Sequence, residues 1–439
     1  MRADDRREGR DHRRRQGPLS VSAGGASGRE VIVLGAGMVG VSAALALQAQ
    51  GRAVTLVDRG QPGRETSYGN AGIIQAEAVE PYALPLSLPT LARMALKRDN
   101  ALNYHLGAMP GHLPGLLRYF LNSRPAKHRA ISVTFRVLTE GATAAHAPLI
   151  EAAGAGAMIR REGFRQIYRT RDKLDAEIRE VERLTRDYGV NATVMDGAAL
   201  AEAEPNIKRP MAGAVQWNDA WTCSDPGGLT GAYAELFVAR GGAVVSGDAA
   251  TLTAEGGGWR VSTADGPVSA PDAVVALGPW SPALLAGFGY RISMVRKRGY
   301  HRHHRCAAGP VLPLMDADHS AVLAPMRAGL RVLTGAELTA EGARQTPVQL
   351  LRAEAGAAEL FDLGAPVENE PWTGVRPCLP DMLPMIGAAP RHKGLWFDFG
   401  HGHQGFTQGP VSAAMLVRAM AGERDAVLDA LAPSQARLA

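Results

Sequence analysis

Cysteine is scarce in this chain: Cys223, Cys306 and Cys378 are the only three in 439 residues. Three thiols so widely spaced make no disulfide framework, and they contain neither a CxxC pair nor a metal-ligand spacing. A reducing compartment is therefore expected, with each cysteine an ordinary thiol rather than a nucleophile. Long apolar runs are also missing. None reaches the ~18 residues that a membrane-spanning helix requires. Charge of one sign is in short supply as well. The net charge is +5, and residues 1–15 hold seven Arg against four acids, so the remaining chain is near +2. That is no nucleic-acid footprint, and no nucleic-acid partner is expected. Hydrophobic content of 46% and charged content of 21% are ordinary for a globular protein. The length supports two domains with separate cores.

Residues 1–28 are Arg-rich and then Ser/Gly/Ala-rich. Arg13-Arg14-Arg15 invites a twin-arginine reading, but Gln16 to Gly28 contains no apolar core of a signal. The segment reads as a disordered extension.

What is present is concentrated between Glu30 and Gly72. Val31-Ile32-Val33-Leu34 has the length and branching of a buried strand. Gly35-Ala36-Gly37-Met38-Val39-Gly40 follows at once, then a small and apolar helix to Gln50, then a second strand from Arg52 to Val57 that ends on Asp58. This is the dinucleotide-binding order. Gly35 permits the tight turn, Gly37 lets backbone N–H groups approach a pyrophosphate, and Gly40 lets helix and strand pack closely. The helix N-terminus offers its partial positive charge to the phosphates. Asp58, 18 residues beyond Gly40, is placed to accept from ribose hydroxyls.

The segment after it separates a flavin from a nicotinamide. Glu65-Thr66-Ser67-Tyr68-Gly69-Asn70-Ala71-Gly72-Ile73-Ile74 is a run of small residues, amides and hydroxyls that can pass along a phosphate and then a flat ring. Thr66 to Gly72 resembles the flavin-contacting segment of the D-amino-acid oxidase and dehydrogenase superfamily, which includes glycine oxidase, sarcosine oxidase and bacterial D-amino-acid dehydrogenase. The Gly-Asn-Ala-Gly run is most like the last of these. Ile73-Ile74-Gln75-Ala76-Glu77 departs from the alanine enzyme's pattern and keeps a D-proline type of substrate open.

Two later stretches extend the resemblance. Trp372-Thr373-Gly374-Val375-Arg376-Pro377, followed by Pro380-Asp381 and Pro384-Met385-Ile386-Gly387, is similar to the superfamily's W-x-G-x-R-P…P-D…P-x-I-G segment. By that match Arg376 is the arginine that clamps a substrate carboxylate. A guanidinium suits the task because it offers a bidentate fork and stays charged when desolvated. The competing reading is a structural arginine bound to backbone carbonyls. In Leu395 to Thr407 an apolar strand feeds a glycine-rich turn that opens a helix, bringing a second helix N-terminus to the cofactor. His403 falls where some relatives carry a second arginine toward the substrate. Tyr300, in the basic run Arg296-Lys297-Arg298-Gly299-Tyr300-His301, is a further candidate for lining the site, against the plainer reading of a solvated basic strand. The histidines 301, 303, 304, 401 and 403 show no metal-site pattern, and no metal is expected.

The resemblance implies an α/β (α+β) chain: a Rossmann-like FAD-binding domain with a second, mixed-sheet substrate domain. The expected FAD domain is discontinuous, from 29–80, 222–288 and 370–425, and the substrate domain takes 81–221 and 289–369. Within the latter, helices are expected over Leu113–Asn122 and Lys127–Ala153. Non-covalent FAD would be contacted by Gly35, Gly37, Met38, Val39 and Gly40, by Asp58 and Arg59, and by Thr66, Ser67, Asn70, Ala71, Gly72 and Ile74. Gly278 and Trp280 would close the sheet beside the flavin. Gly400, His401, Gly402, Gln404, Gly405 and Thr407 would complete the set. The catalytic candidates are Arg376, His403 and Tyr300.

The implied reaction is oxidation of the Cα–N bond of a small amino acid, a D-amino acid or D-proline type, by hydride transfer to flavin. Electrons would leave to a quinone, a respiratory carrier or O2. The expected location is cytoplasmic, either free or peripheral on the cytoplasmic face of the inner membrane. Glycine or sarcosine-type oxidase, a non-catalytic flavin subunit of a hetero-oligomeric dehydrogenase, and a nicotinamide enzyme are the competing readings.

Overall fold

The strand Val31–Leu34 is buried along its whole length at the middle of an eight-stranded sheet. In this computed structural model, residues 29–97 and 100–438 are described; the extension assigned to 1–28 lies outside them. Val31–Leu34 pairs in parallel with Val54–Asp58 on one side and Asp272–Val275 on the other. Ala243–Glu255 continues the parallel set beyond Val54–Asp58, and Leu395–Phe399 continues it beyond Asp272–Val275. Antiparallel strands Gly258–Thr263, Gly266–Ala270 and Met385–Ala388 finish the two edges. A parallel sheet is covered on both faces, which is why these strands are continuous apolar runs. Each fully buried Val, Ile or Leu contributes about 1.5–3 kcal/mol by transfer from water.

Two helices lie together on one face. Met38–Ala49 is buried nearly all round, and Gly405–Met420 packs along it. Both begin at the C-terminal edge of parallel strands, so both N-termini face the same region of the molecule.

A ten-stranded sheet forms the second layer. Its order runs from Leu102–Tyr104 through Ala336–Leu338, Val295–His304, Gly329–Leu333, Ala321–Met326, Leu314–Asp316, Phe164–Tyr168 and Gly213–Trp217 to Ala192–Asp196. Trp372–Cys378 pairs antiparallel with Val295–His304, with Lys297 opposite Arg376 and Gly299 opposite Gly374. A small third sheet joins Ile73–Ile74, Trp221–Cys223 and Ile159–Arg160.

The mixed α/β architecture is as expected, but two boundaries move. Trp372–Cys378 belongs to the second sheet, although it was grouped with the FAD segment 370–425. Its apolar and Gly-rich sequence does not say which sheet edge it joins; pairing with a strand some 75 residues earlier decides that. The helices expected as one, Lys127–Ala153, are two, Pro125–Glu140 and Ala142–Ala152, broken at Gly141. They pack into the core of the first layer through Phe135, Leu138, Ala142 and Ile150, not into the substrate layer.

Candidate active site

The first glycine turn is built by exclusion. Gly35 has φ +105°, and a Cβ there would lie 2.6 Å from the carbonyl oxygen of Ala276. A Cβ on Gly40 would lie 1.8 Å from the carbonyl oxygen of Gly35. Gly37 differs: its nearest neighbour would be Ser67 Oγ at 3.4 Å, so its bare face is open. The helix that follows has no acidic residue in its first turn and no local side-chain cap. Ser67, from the distant small-residue segment, accepts the Met38 N–H at 2.9 Å. The turn therefore presents an anion-ready helix end, with a hydroxyl already beside it.

Asp58 is anchored rather than loose. It accepts from the N–H groups of Ala36 (2.6 Å) and Gly60 (2.8 Å). Next to it, the Arg59 guanidinium lies 4.8 Å from the centroid of Trp280, so two residues singled out from separate stretches meet at one wall.

The segment Thr66–Gly72 is pinned from behind. Asn70 Oδ1 accepts the Gly72 N–H at 2.8 Å, and buried Arg331 donates to the carbonyls of Tyr68 and Asn70, both at 2.7 Å. Arg331 also donates through Nε to His303 Nε2 at 2.9 Å. Burial pulls its pKa down to about 10, which still leaves it charged. Nothing in the sequence marks Arg331; only the strand register brings it under the loop.

A cavity of about 520 Å³ runs from this turn to Arg376 and the second glycine turn. Its wall includes Gly35, Gly37, Met38, Val39, Asp58, Arg59, Thr66, Ser67, Asn70, Gly278, Trp280, Tyr300, Arg376, His401, Gly402, His403 and Gly405. Gly40, Ala71, Gly72, Ile74, Gly400, Gln404 and Thr407 are not on that wall. Gly40 is used up in packing, as above. Thr407 accepts the Gln75 N–H (3.2 Å) and donates to the Ile73 carbonyl (3.3 Å), while Gln404 donates to Gln75 Oε1 (3.0 Å). These two residues tie the loop to the helix Gly405–Met420.

Arg376 is half-buried and has no carboxylate partner among the described residues. Its Nη1 donates to the carbonyl of Gly335 (2.8 Å) and its Nη2 to that of Thr334 (3.0 Å). Burial lowers its pKa from the ordinary value, and it remains a cation. The turn at Gly400 lies alongside: the Gly402 N–H donates to the Pro377 carbonyl at 3.0 Å, and Cys378 bridges to His401. The helix beyond, like the first, has no side-chain cap from its own cap residue. Two helix N-termini and the Arg376 guanidinium thus border one space.

His403 reaches this wall as a neutral ring. Burial and the nearby charges of Arg376 and Lys297 hold its pKa down at about 3. It cannot replace a second arginine as a cation. Lys297, register partner of Arg376, is the nearby side chain that does carry charge, and sequence reasoning passed over it as part of a surface strand.

That strand is not solvated. Arg298, Tyr300, His301, His303 and His304 are all buried. Arg298 pairs with Glu337 at 2.7 Å, Arg302 with Glu354 at 2.6 Å and His304 with Glu354 at 3.0 Å, while His303 reaches Glu368 at 2.5 Å. The acids that make burial tolerable come from other elements, so the strand's own sequence could not show it. Tyr300 borders the cavity, but its hydroxyl donates to Glu337 (2.6 Å) and accepts from Thr346 N–H (2.9 Å), and is committed to that network.

Behind the second turn, Asp398 accepts from the Ser412 hydroxyl, which in turn lies 2.8 Å from His401 Nε2. Burial raises the Asp398 pKa to about 7 and lowers that of His401 to about 3, so below neutral pH both are uncharged. Between pH about 4 and 7 the folded state keeps a proton that an unfolded Asp has lost. This group's contribution to stability therefore falls as pH rises through that window. Asp398→Asn removes the slope. Relative to the parent, its thermal stability should improve by on the order of 2 kcal/mol between pH 5 and pH 8. Melting curves across that range check it, and an unchanged difference would sink it.

Among the described residues no group of three or more His, Cys, Asp or Glu is arranged to hold a metal ion. No helix among them is long and apolar enough to cross a membrane.

The FAD dependent oxidoreductase family model DAO matches residues 30–419. The D-amino-acid oxidase of Bradyrhizobium diazoefficiens is 29% identical over 409 residues, covering 90% of this chain and 96% of its own. A D-amino acid dehydrogenase of Cereibacter sphaeroides is 31% identical over 411 residues, 88% of this chain and 90% of its own. Among solved structures, glycine oxidase from Geobacillus kaustophilus superposes with a TM-score of 0.68 at 20% identity, over 93% of this chain and 99% of that one, and so shares the fold. The chain therefore belongs to the DAO family of FAD dependent oxidoreductases.

Proposed function

We propose that this enzyme oxidises the Cα–N bond of a D-amino acid, of free-amine or cyclic proline type, with non-covalent FAD. The observation that carries the reading is Arg376. It is a half-buried guanidinium on the cavity wall, fixed by two backbone carbonyls and matched by no carboxylate among the described residues. Of its five N–H groups, those two bonds occupy two, and the rest can receive a carboxylate. The structural arginine and the clamp are thus one residue. The curated relatives named D-amino-acid oxidase and D-amino acid dehydrogenase support the same substrate class.

In this reading Gly37, Ser67 and the two helix ends would hold the cofactor's phosphates and ring edge, and Asp58 would hold the ribose. The bound FAD supplies the two-electron acceptor. Arg376, with Lys297 adding positive potential, holds the carboxylate and so orients the Cα–H. The substrate amine, deprotonated, would supply the electron pair that forms C=N as the Cα–H bond breaks, its hydrogen and bonding electrons passing to that acceptor. Water then hydrolyses the imine to a keto acid and ammonia, unless the substrate is cyclic. Neutral His403 adds no competing charge beside the amine. None of the three cysteines lies on the cavity wall, in keeping with non-covalent FAD.

Anaerobic bleaching of the flavin against D-amino acids, both proline series, sarcosine and glycine tests the assignment. D-Amino acids or D-prolines should bleach it; bleaching by glycine or sarcosine alone, or by nothing, would refute it. Peroxide formation in air separates O2 from a quinone or respiratory carrier as acceptor.

Gly299 gives a finer test. A Cβ there would lie 3.0 Å from both terminal nitrogens of Arg376. Because the obstacle is the tip of a side chain, Gly299→Ala should fold and bind FAD while displacing the fork. KM for the amino acid should rise about tenfold with stability nearly unchanged. Steady-state kinetics would count against the clamp if KM stayed the same.

A further inference from the structure

Among the described residues, nine of the fifteen exposed large hydrophobic side chains lie between Tyr82 and Val133. Five leucines among them are more than half exposed: Leu88 at 78%, Leu106 at 76%, Leu96 at 61%, Leu113 at 60% and Leu117 at 57%. They sit on two helices and the turn between them. Leu88–Ala95 is an amphipathic helix that buries none of its residues, and Met109–Asn122 buries only Gly115 and Tyr119. The segments flanking them are tied at both ends. Leu84 is bonded to Ser123 at one end, and the Ala95 carbonyl accepts from Tyr104, just ahead of Leu106, at the other. An eight-residue helix is marginal in water without something to cover its apolar face.

Charge identifies the cover. From Pro81 to Thr139 the sequence has eight Lys and Arg against the single acid Asp99, a local surplus larger than the +5 of the whole chain. Arg93, Lys97, Arg118, Arg124, Lys127 and Arg129 are exposed. Leucines projecting from a field of cations are what an anionic lipid surface recognises, by apolar insertion together with attraction to the headgroups. A second copy of the chain fits poorly. An isologous contact would set this cationic face against itself.

We infer that the face formed by Leu88–Ala95, Leu106 and Met109–Asn122 docks the enzyme on the surface of an anionic bilayer. It lies in the interface and does not span. The segment begins at Tyr82, whose ring meets His403 edge-on at 4.9 Å, so docking brings one rim of the flavin cavity to the lipid. The surface is independent of the substrate assignment.

Full-length holoenzyme is mixed with vesicles of phosphatidylcholine alone, or of phosphatidylcholine with about one-third phosphatidylglycerol, and sedimented. It should follow the anionic vesicles and leave the neutral ones. The triple variant Leu88→Asp, Leu106→Asp, Leu117→Asp should partition at least about tenfold more weakly. The pair Arg93→Glu, Lys97→Glu should lose the preference for anionic lipid. FAD content and turnover with a soluble dye acceptor should be unchanged in both, since these side chains are exposed. Three results overturn the inference: no binding of the parent to either vesicle, binding of the triple variant equal to the parent (which would assign it to the Arg-rich residues 1–28), or a parent dimer that the triple variant dissociates.

Discussion

Arg376→Ala should purify with FAD and fail to be reduced by any amino acid. The Ala side chain removes the fork and nothing that touches the first glycine turn, so cofactor content is retained. The guanidinium, desolvated among Gly335, Thr334 and the cavity wall, would give a carboxylate two charge-assisted hydrogen bonds. Each is worth about 1.5–3 kcal/mol where water is excluded. Their joint loss corresponds to roughly 10²–10⁴ in kcat/KM. Stability should fall as well, by about 1–3 kcal/mol, because two buried carbonyls lose their donors. Arg376→Lys should not restore turnover, since one ammonium cannot hold two divergent carbonyls and a planar carboxylate together. Stopped-flow flavin reduction reads the effect directly. Reduction of the Ala variant at the parent's rate would remove Arg376 from the substrate's carboxylate.

Gly40→Ala should yield little folded protein and no yellow colour. Its Cβ would sit 1.8 Å from the Gly35 carbonyl oxygen, a backbone atom that cannot step aside without opening the turn. Overpacking a rigid site commonly costs 1–3 kcal/mol; against main chain at this distance we expect on the order of 4 kcal/mol or more. Gly37→Ala is the informative partner. Gly37 has φ −74°, and its Cβ would have 3.4 Å of clearance, so that variant should fold. Its added methyl would face the phosphates and weaken FAD binding about tenfold or more. Denaturation and flavin titration of the two variants would contradict this account if their behaviour were exchanged.

The glycine turns were legible because their signals are local. A turn that needs φ > 0, a helix that starts beside it and an acid at the end of the next strand are all written within thirty residues. The place of Arg376 on the cavity wall followed from its neighbours Trp372, Gly374 and Pro377, which resemble a known segment. The roles of Gln404 and Thr407 were not. Both stand in the right turn, but their side chains serve the loop at Ile73–Gln75, and only packing shows that. Lys297 and Arg331 carried no signal, since a basic residue in a strand looks the same whether it faces water or a flavin loop.

By itself, then, the amino-acid order determined the strand, glycine turn and helix that open the first sheet and the start of the second helix at Gly405, because each depends on residues close in the chain. Tertiary structure alone decided that Trp372–Cys378 leaves the first sheet to lie against Val295–His304. It also decided that the histidine-rich strand is buried and ion-paired, and that the leucines of Leu88–Ala95 and Met109–Asn122 remain uncovered. These are questions of register and of what covers what. They are settled by contacts between segments distant in sequence, where a side chain's type says how it interacts but not with which partner.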